Sequence, residues 1–216
     1  MYRPGLMGIR SPTIERFLKS FAFSVVLCLA WGCFTFLGAV KLLDGFDVAE
    51  ALWLVYNAAV CLLFLIRSTP SVVDLDPIHW LVALSTSCSG FAFSKSGTAS
   101  QTVVSALAEG LIWAGIALGI WVALVLGKSY DVLPALRHVR TGSLYKVVRH
   151  PMYASSMGIK LGYLLRHPSL YNCLLLTVVV LLYDRRARHE EVVMSHDASY
   201  ADYLRRVKWR FIPRVY

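Results

Sequence analysis

Gly142-Ser-Leu-Tyr145-Lys-Val-Val-Arg149-His150-Pro151-Met-Tyr153 is the stretch where a basic, polar loop turns into a membrane-length apolar region. Proline has a fixed φ and no N–H, so Pro151 suits the first turn of a helix and pushes His150 out of the helical region. His150 therefore stands just ahead of a helix. The first N–H groups of that helix are unsatisfied and its dipole end is positive, which suits an anionic or carbonyl-bearing group of a ligand. Arg149 and Lys146 add charge at the same spot. Chemistry at this boundary faces lipid on one side and cytosol on the other.

The rest of the chain fits such a boundary. Of its 216 residues, 57% are hydrophobic and 16% charged, and the apolar residues come in long runs. That is too apolar for an ordinary soluble domain and predicts an all-α, multi-pass membrane protein. A net charge of +9 would point to nucleic acid in a soluble chain. Here no stacking motif or recognition module accompanies it, so anionic lipid headgroups are the expected counter-charge, with no nucleic-acid partner. Five cysteines (Cys28, Cys33, Cys61, Cys88, Cys173) fall in or beside apolar runs, without a CxxC pair or a histidine at ligand spacing. They read as buried free thiols, and no metal site is expected.

After Arg3, Arg10, Arg16 and Lys19, the stretch Phe21 to Val40 is uncharged and long enough to span as a retained first helix. Further spans are expected from about Ala51 to Ile66, Ile78 to Phe93 and Val103 to Leu126. A capped connection at Pro70, Asp74, Asp76 and Pro77 joins the second to the third. Gly115 and Gly119 give the fourth a small-xxx-small face for a close helix neighbour. Asn57 and Glu109 are polar groups at membrane depth, the latter near enough to a helix start to reach the interface.

Two shorter runs, Met152 to Leu165 and Leu170 to Tyr183, flank Arg166-His-Pro-Ser169 and predict a helical hairpin that enters the bilayer and returns. Lys160, in the middle of its first arm, needs a partner, a wet cavity or a route to the interface. With six segments and the N-terminus inside, eighteen of the 22 Lys and Arg face the cytosol, against Lys41, Lys95 and Arg166 outside. That bias puts both termini and the His150 region in the cytosol.

After Tyr183 the helix continues as Asp184-Arg-Arg-Ala-Arg188-His189-Glu190-Glu191-Val-Val-Met194. Neighbouring helical residues project about 100° apart, so Glu190 and Glu191 should not both face one ligand. Taken alone, they read as surface ion pairs with Arg186 and Arg188, worth about 0.3 to 0.5 kcal/mol each. The final stretch, Tyr200-Ala-Asp-Tyr203-Leu-Arg-Arg206-Val207-Lys-Trp209-Arg-Phe211-Ile-Pro213, mixes aromatic and basic residues. It reads either as an interfacial belt with snorkelling arginines or as a lid.

Arg149-His150-Pro151-Met152-Tyr153, preceded by Gly142 and Tyr145 and followed by Glu190-Glu191, Tyr200-x-x-Tyr203-x-x-Arg206-Val207 and Ile212-Pro213, resembles the integral-membrane methyltransferases. These are the isoprenylcysteine carboxyl methyltransferases and the phospholipid methyltransferases. The resemblance covers roughly residues 136 to 216 and sets that catalytic region apart from N-terminal transmembrane helices in 1 to 135, within one integrated membrane domain. It reverses the surface-pair reading. By matching position it implies that Tyr145, Arg149, His150, Pro151, Tyr153, Glu190 and Glu191 surround S-adenosylmethionine. The tail folds back beside the cofactor, with Arg206 gripping an anionic substrate or the cofactor carboxylate and His150 a candidate catalytic residue. Two departures are Ser155, where many members have glycine, and Lys208, where proline often follows Arg-Val.

S-adenosylmethionine suits these residue types. A glutamate accepts from its ribose hydroxyls or ammonium, a basic helix N-terminus suits its carboxylate, and a tyrosine stacks on adenine or hydrogen-bonds. Methyl transfer is an in-line displacement in which alignment and exclusion of water supply much of the rate. A base is needed only for a protonated acceptor, with His150 and His189 as candidates. The expected activity is S-adenosylmethionine-dependent methyl transfer to a lipidic or small apolar acceptor, such as a prenylcysteine-like carboxylate, a phospholipid amine or a thiol. A membrane reductase using a dinucleotide and a non-enzymatic transporter or scaffold remain the alternatives. Against them stand the lack of G-x-G-x-x-G and the clustering of polar residues on the cytosolic side.

Overall fold

The computed structural model describes residues 12–44, 48–96, 102–137 and 140–216. Arg3 and Arg10, and the side chain of Lys41, which enter the orientation argument, lie outside the described residues. The described chain is mostly helical: α1 (Pro12–Leu18), α2 (Phe21–Asp44), α3 (Val48–Ile66), α4 (Pro77–Cys88), α5 (Thr102–Leu126), α6 (Pro151–Arg166), α7 (Leu170–Met194) and α8 (Ala198–Arg206). Two helices are long and apolar enough to cross a membrane, over Phe21–Val40 and Thr102–Ser129, and Ala51–Ile66 is a shorter apolar helix. Their outward faces carry large apolar side chains, with Phe36 67% and Leu124 69% exposed, a surface suited to lipid rather than water.

The third expected span is not one continuous helix. The α-helix stops at Cys88 and continues as a 3₁₀ turn over Ser89–Ala92. The reason lies in its hydroxyls: Thr86 donates to the carbonyls of Val82 and Ala83, Ser87 to Ala83 and Ser89 to Thr86. Such back-bonding competes with the helical ladder. At about 18 Å, α4 is also shorter than the roughly 30 Å hydrocarbon layer. Its start does follow the expected cap, with Pro77 in the first turn and Asp76 accepting from the Ile78 N–H at 2.8 Å.

The small-residue face of α5 is where α6 lies. A Cβ on Gly115 would sit 2.6 Å from Ile159 Cγ1 and 3.1 Å from the Ser155 carbonyl, and one on Gly162 2.6 Å from the Ala108 carbonyl. Ser155 faces this contact, where its hydroxyl donates to the Gly115 carbonyl at 2.7 Å. The departure at Ser155 therefore acts on helix packing. The arms of the expected hairpin are α6 and α7, joined by His167 to Ser169, and Ser169 caps α7 by accepting from the Asn172 N–H. Leu174, Val178 and Leu181 are exposed on the apolar half of α7, and the helix runs unbroken into its charged half.

Two short strands, β1 (Val72–Val73) and β2 (Ala135–Leu136), pair antiparallel and tie the loop after α3 to the loop after α5. The cysteines are free thiols, but Cys33, Cys88 and Cys173 are exposed on outward faces, which corrects their reading as buried.

Candidate functional site

The site is assembled by the tail pairing with the residues just ahead of α6. Val148 forms a parallel bridge with Trp209. The N–H groups of Arg149 and His150 donate to the carbonyls of Trp209 and Arg210, each at 2.9 Å. Pro151 has no N–H to continue this pairing and starts α6 instead, fully buried. His150 is thereby fixed at the corner, as the helix cap, with only 6% of its surface exposed.

Both glutamates reach this histidine. Glu190 Oε2 lies 3.8 Å from His150 Nδ1, and Glu191 Oε1 lies 3.3 Å from His150 Nε2. The imidazole's two nitrogens point to different sides, so residues about 100° apart on α7 still meet one ring. Meeting one histidine is distinct from facing one ligand, and of the two only Glu190 lines the neighbouring cavity. The expected Glu191 to Arg188 surface pair is also absent among the described residues, since Arg188 binds Asp184 at 2.8 Å. The Arg186 to Glu190 pair forms at 3.1 Å, but it is enclosed, both side chains being no more than 16% exposed.

Glu191 is held by two arginines and a histidine. It accepts from Arg149 Nη1 at 3.2 Å, from Arg210 Nε and Nη2 at 3.1 and 2.9 Å, and from His150. Burial alone would raise its pKa, but the hydrogen bonds from His150 and Arg210 outweigh burial and bring the carboxyl down to about 2. Those same bonds to Glu191 raise the pKa of Arg210 above its ordinary value. Arg210 also donates to the Tyr216 hydroxyl, which donates to Asp184 at 2.6 Å, so the tail is bolted to α7.

Glu190 has different neighbours. It accepts from the Tyr153 hydroxyl and from Arg186 Nε. The Tyr153 ring stacks on His150 with centroids 5.3 Å apart, and the Arg186 guanidinium lies 5.0 Å from the Tyr153 ring centre. Arg186 has its remaining donors on the Ala83 and Val132 carbonyls and the Thr86 and Ser87 hydroxyls, which makes α4 the bracket for this arginine. A buried guanidinium with all three nitrogens hydrogen-bonded is a fixed charge.

A cavity of about 710 Å³ opens beside this cluster. Tyr145, Arg149, His150, Tyr153 and Glu190 line it, whereas Pro151 and Glu191 stand outside its lining. Its wall also takes in Trp31, Tyr56, Ile112 and Ile116, an apolar stretch beside the polar cluster, and Lys160, Arg166 and His167 further along α6. Tyr200 and Tyr203 of α8 also line it, and the Tyr203 hydroxyl donates to the Tyr145 carbonyl at 2.8 Å. Burial pushes the Tyr203 hydroxyl's pKa up to about 12, so it remains a donor at neutral pH.

Other candidates fall elsewhere. Arg206 is exposed, bonded at 3.4 Å to the Asp202 carbonyl of its own helix, and does not reach the cavity; Arg210 is the tail arginine at the cluster. Glu109 is exposed, while Asn57 is buried, accepts from Trp31 Nε1 at 2.8 Å and lines the cavity with it. Lys160 is buried, with its ammonium 3.3 Å from the Tyr183 hydroxyl, and it also lines the cavity. Sequence reasoning passed over Arg186 as half of a surface pair. The signal was present: Tyr183, Arg186, Glu190 and Met194 follow helical spacing, and all four line the cavity.

Residues 103–200 match the phospholipid methyltransferase family. The match supports methyltransferase activity on membrane lipid-type substrates and association with a membrane, in agreement with the resemblance seen at Arg149 to Tyr153. It takes in α5, which the resemblance had left with the N-terminal helices, and it stops before Arg206 and the tail segment that bridges to Val148. No curated protein matches the chain.

Proposed function

We propose that the chain is a multi-pass membrane enzyme that transfers the methyl group of S-adenosylmethionine to a lipidic or small apolar acceptor at the membrane–cytosol boundary. The observation that carries this reading is the joining of His150, Tyr153 and Glu190 on the wall of a cavity that Trp31, Tyr56, Ile112 and Ile116 also line as an apolar arm. In this account the polar end holds the cofactor and the apolar arm holds the acceptor. The volume, about 710 Å³, is within the range of sites for drug-sized molecules, roughly 300 to 1,000 Å³.

Glu190 takes the cofactor's hydroxyl or ammonium groups, since it faces the cavity. Glu191 acts from behind, holding Arg149 and His150 in place. Tyr153 and Tyr145 supply aromatic faces, and Arg149 with the start of α6 suits a carboxylate. The cofactor supplies an electrophilic methyl on a sulfonium. The acceptor's lone pair forms the new bond to that methyl as the carbon–sulfur bond breaks, and the sulfonium leaves as a neutral thioether. The protein's task is alignment and exclusion of water, with the tail and α8 closing the cytosolic side. His150 orients groups at this corner and is the nearest side chain able to take a proton from a protonated acceptor.

The proposed topology has α2, α3, α4 with the 3₁₀ turn that extends it, α5 and the two arms of the α6–α7 hairpin as six crossings, with both termini in the cytosol. Incubating the purified protein with methyl-tritiated S-adenosylmethionine and a membrane lipid extract tests the activity. Radioactivity should enter the organic phase and fall at least tenfold in Glu190→Gln. Wild-type transfer no higher than that of a heat-inactivated control, across lipid, prenylcysteine and thiol acceptors, refutes it.

A further inference from the structure

Lys160 is a cation in the cavity wall without a carboxylate of its own among the described residues. It sits about 14 Å along α6 from Pro151, and only 9% of its surface is exposed. Its ammonium donates to the Tyr183 hydroxyl at 3.3 Å and lies 5.3 Å from the centre of the same ring. That hydroxyl donates onward to the Thr86 carbonyl, so its one proton is already in use. The two carboxylates that line the cavity are both engaged by arginines, Asp131 by Arg67 and Arg137, and Glu190 by Arg186. Neither is free to balance Lys160.

A buried ammonium in a membrane helix is costly unless an anion or a wet cavity meets it. Helical side chains lean back towards the N-terminus, which turns Lys160 towards the His150 corner. One ring separates it from that corner, since Tyr183 lies 5.0 Å, centre to centre, from Tyr153. Charge then decides which acceptors fit beside it. A protonated amine meets like charge. A carboxylate has about four lone-pair sites to satisfy and arrives already charged, so it needs more donors than one ammonium supplies. A thiol passes the apolar lining of Trp31, Ile112 and Ile116 uncharged and ionises beside the cation, which lowers its pKa.

We propose that Lys160 activates the acceptor, and that the acceptor is an apolar thiol held there as its thiolate. This rests on reading the apolar arm as the acceptor's compartment. The thiol gives its proton to water. A sulfur lone pair of the thiolate forms the bond to the methyl carbon as the bond from that carbon to the sulfonium breaks, and the electron pair of the broken bond stays on the leaving sulfur. One anion and one cation thus become two neutral thioethers. The attraction to Lys160 ends with the thiolate's charge, which favours release of the methylated product.

The test uses the full chain in detergent, without cofactor, and naphthalene-2-thiol, whose thiolate absorbs at longer wavelength than the thiol. Titrating the bound probe with pH should give an apparent pKa about one unit lower in wild type than in Lys160→Met, which keeps the length of the side chain and removes its charge. Lys160→Arg keeps the cation and should retain most of that difference. Removing a buried charge that has no carboxylate partner should not lower the melting temperature, so thermal unfolding reports whether the variants are folded. Should Lys160→Met fail to fold, the wild type is compared with the probe in protein-free micelles. An equal pKa in wild type and folded Lys160→Met, or in wild type and empty micelles, overturns the proposal. With methyl-tritiated S-adenosylmethionine, octane-1-thiol should be methylated and octan-1-amine should not, and Lys160→Met should slow the thiol reaction about tenfold, in step with the thiolate lost. The amine reacting as fast as the thiol overturns the proposal, and octanoate reacting as fast overturns the choice of a thiol. Transfer to none of these acceptors counts against the methyl-donor reading, and the absorbance comparison still decides the role of Lys160.

Discussion

Replacing Glu191 and Glu190 by glutamine, one at a time, should produce two different phenotypes from adjacent residues. Bringing the Glu191 carboxyl from its ordinary 4.5 to about 2 corresponds to about 3 kcal/mol of preference for the charged form. Screening at the partly wetted edge of the cluster reduces this to about 2 kcal/mol. For a chain of this size that is about 4 to 8 °C in melting temperature. Because the folded-state pKa is depressed, the contribution is fully present above about pH 4.5 and is lost as pH falls towards 2. Glu191→Gln should therefore melt several degrees below wild type at pH 7, with the gap closing in acid. Glu190→Gln keeps an acceptor for Tyr153 and Arg186 and should melt closer to wild type. It should lose roughly ten- to a hundredfold in S-adenosylhomocysteine affinity, the size of a lost charge-assisted hydrogen bond, about 1.5 to 3 kcal/mol. Thermal unfolding in detergent and titration of both variants measure these effects. A Glu191→Gln melt within 1 °C of wild type, together with Glu190→Gln binding within about twofold, would refute the division of roles.

Three further outcomes are expected. Gly162→Ala forces a Cβ to 2.6 Å from the Ala108 carbonyl and should destabilise by about 2 kcal/mol, whereas Gly158→Ala meets nothing within 4 Å and should be neutral or stabilising by up to about 1 kcal/mol; equal melting temperatures would refute the close α5–α6 packing. Burial, reinforced by the stacked ring of His79, lowers the pKa of His189 below 6.5, so the unfolded chain takes up the proton first and stability should fall as pH drops below about 6.5. His189→Gln should flatten that part of the pH profile, and an unchanged slope would contradict the assignment. Cysteine labelling should place Arg137 and the C-terminal tail on one side of the membrane and Lys95 on the other; opposite sides for the first two would dismantle the proposed topology.

The corner at His150 was legible because proline chemistry is local: a fixed φ and a missing N–H predict a helix start wherever the fold puts it. The small-residue face of α5 was legible for the same reason, as Gly115 and Gly119 mark a close approach without naming the partner. What pairs across distance was not. Glu191 meets Arg149 and Arg210, 42 and 19 residues away, and nothing in the spacing of the charge run favoured them over the nearby Arg188. The phase of α7 relative to Pro151 decides which glutamate faces the cavity, and that phase is set by α4 gripping Arg186. The break in α4 was hidden because hydropathy counts Thr86 and Ser89 as mildly polar residues, not as donors to their own helix. Arg206 was favoured over Arg210 by motif position, whereas the strand pairing at Trp209 puts the later arginine at the cluster.

The account depends most directly on what the polar end of the cavity binds. Calorimetric titration of the purified protein in detergent with S-adenosylhomocysteine, and separately with a reduced dinucleotide, measures this. The account predicts saturable one-to-one binding of S-adenosylhomocysteine, weakened in Glu190→Gln, and no binding of the dinucleotide. Saturable binding of the dinucleotide with none of S-adenosylhomocysteine would contradict it and favour a reductase.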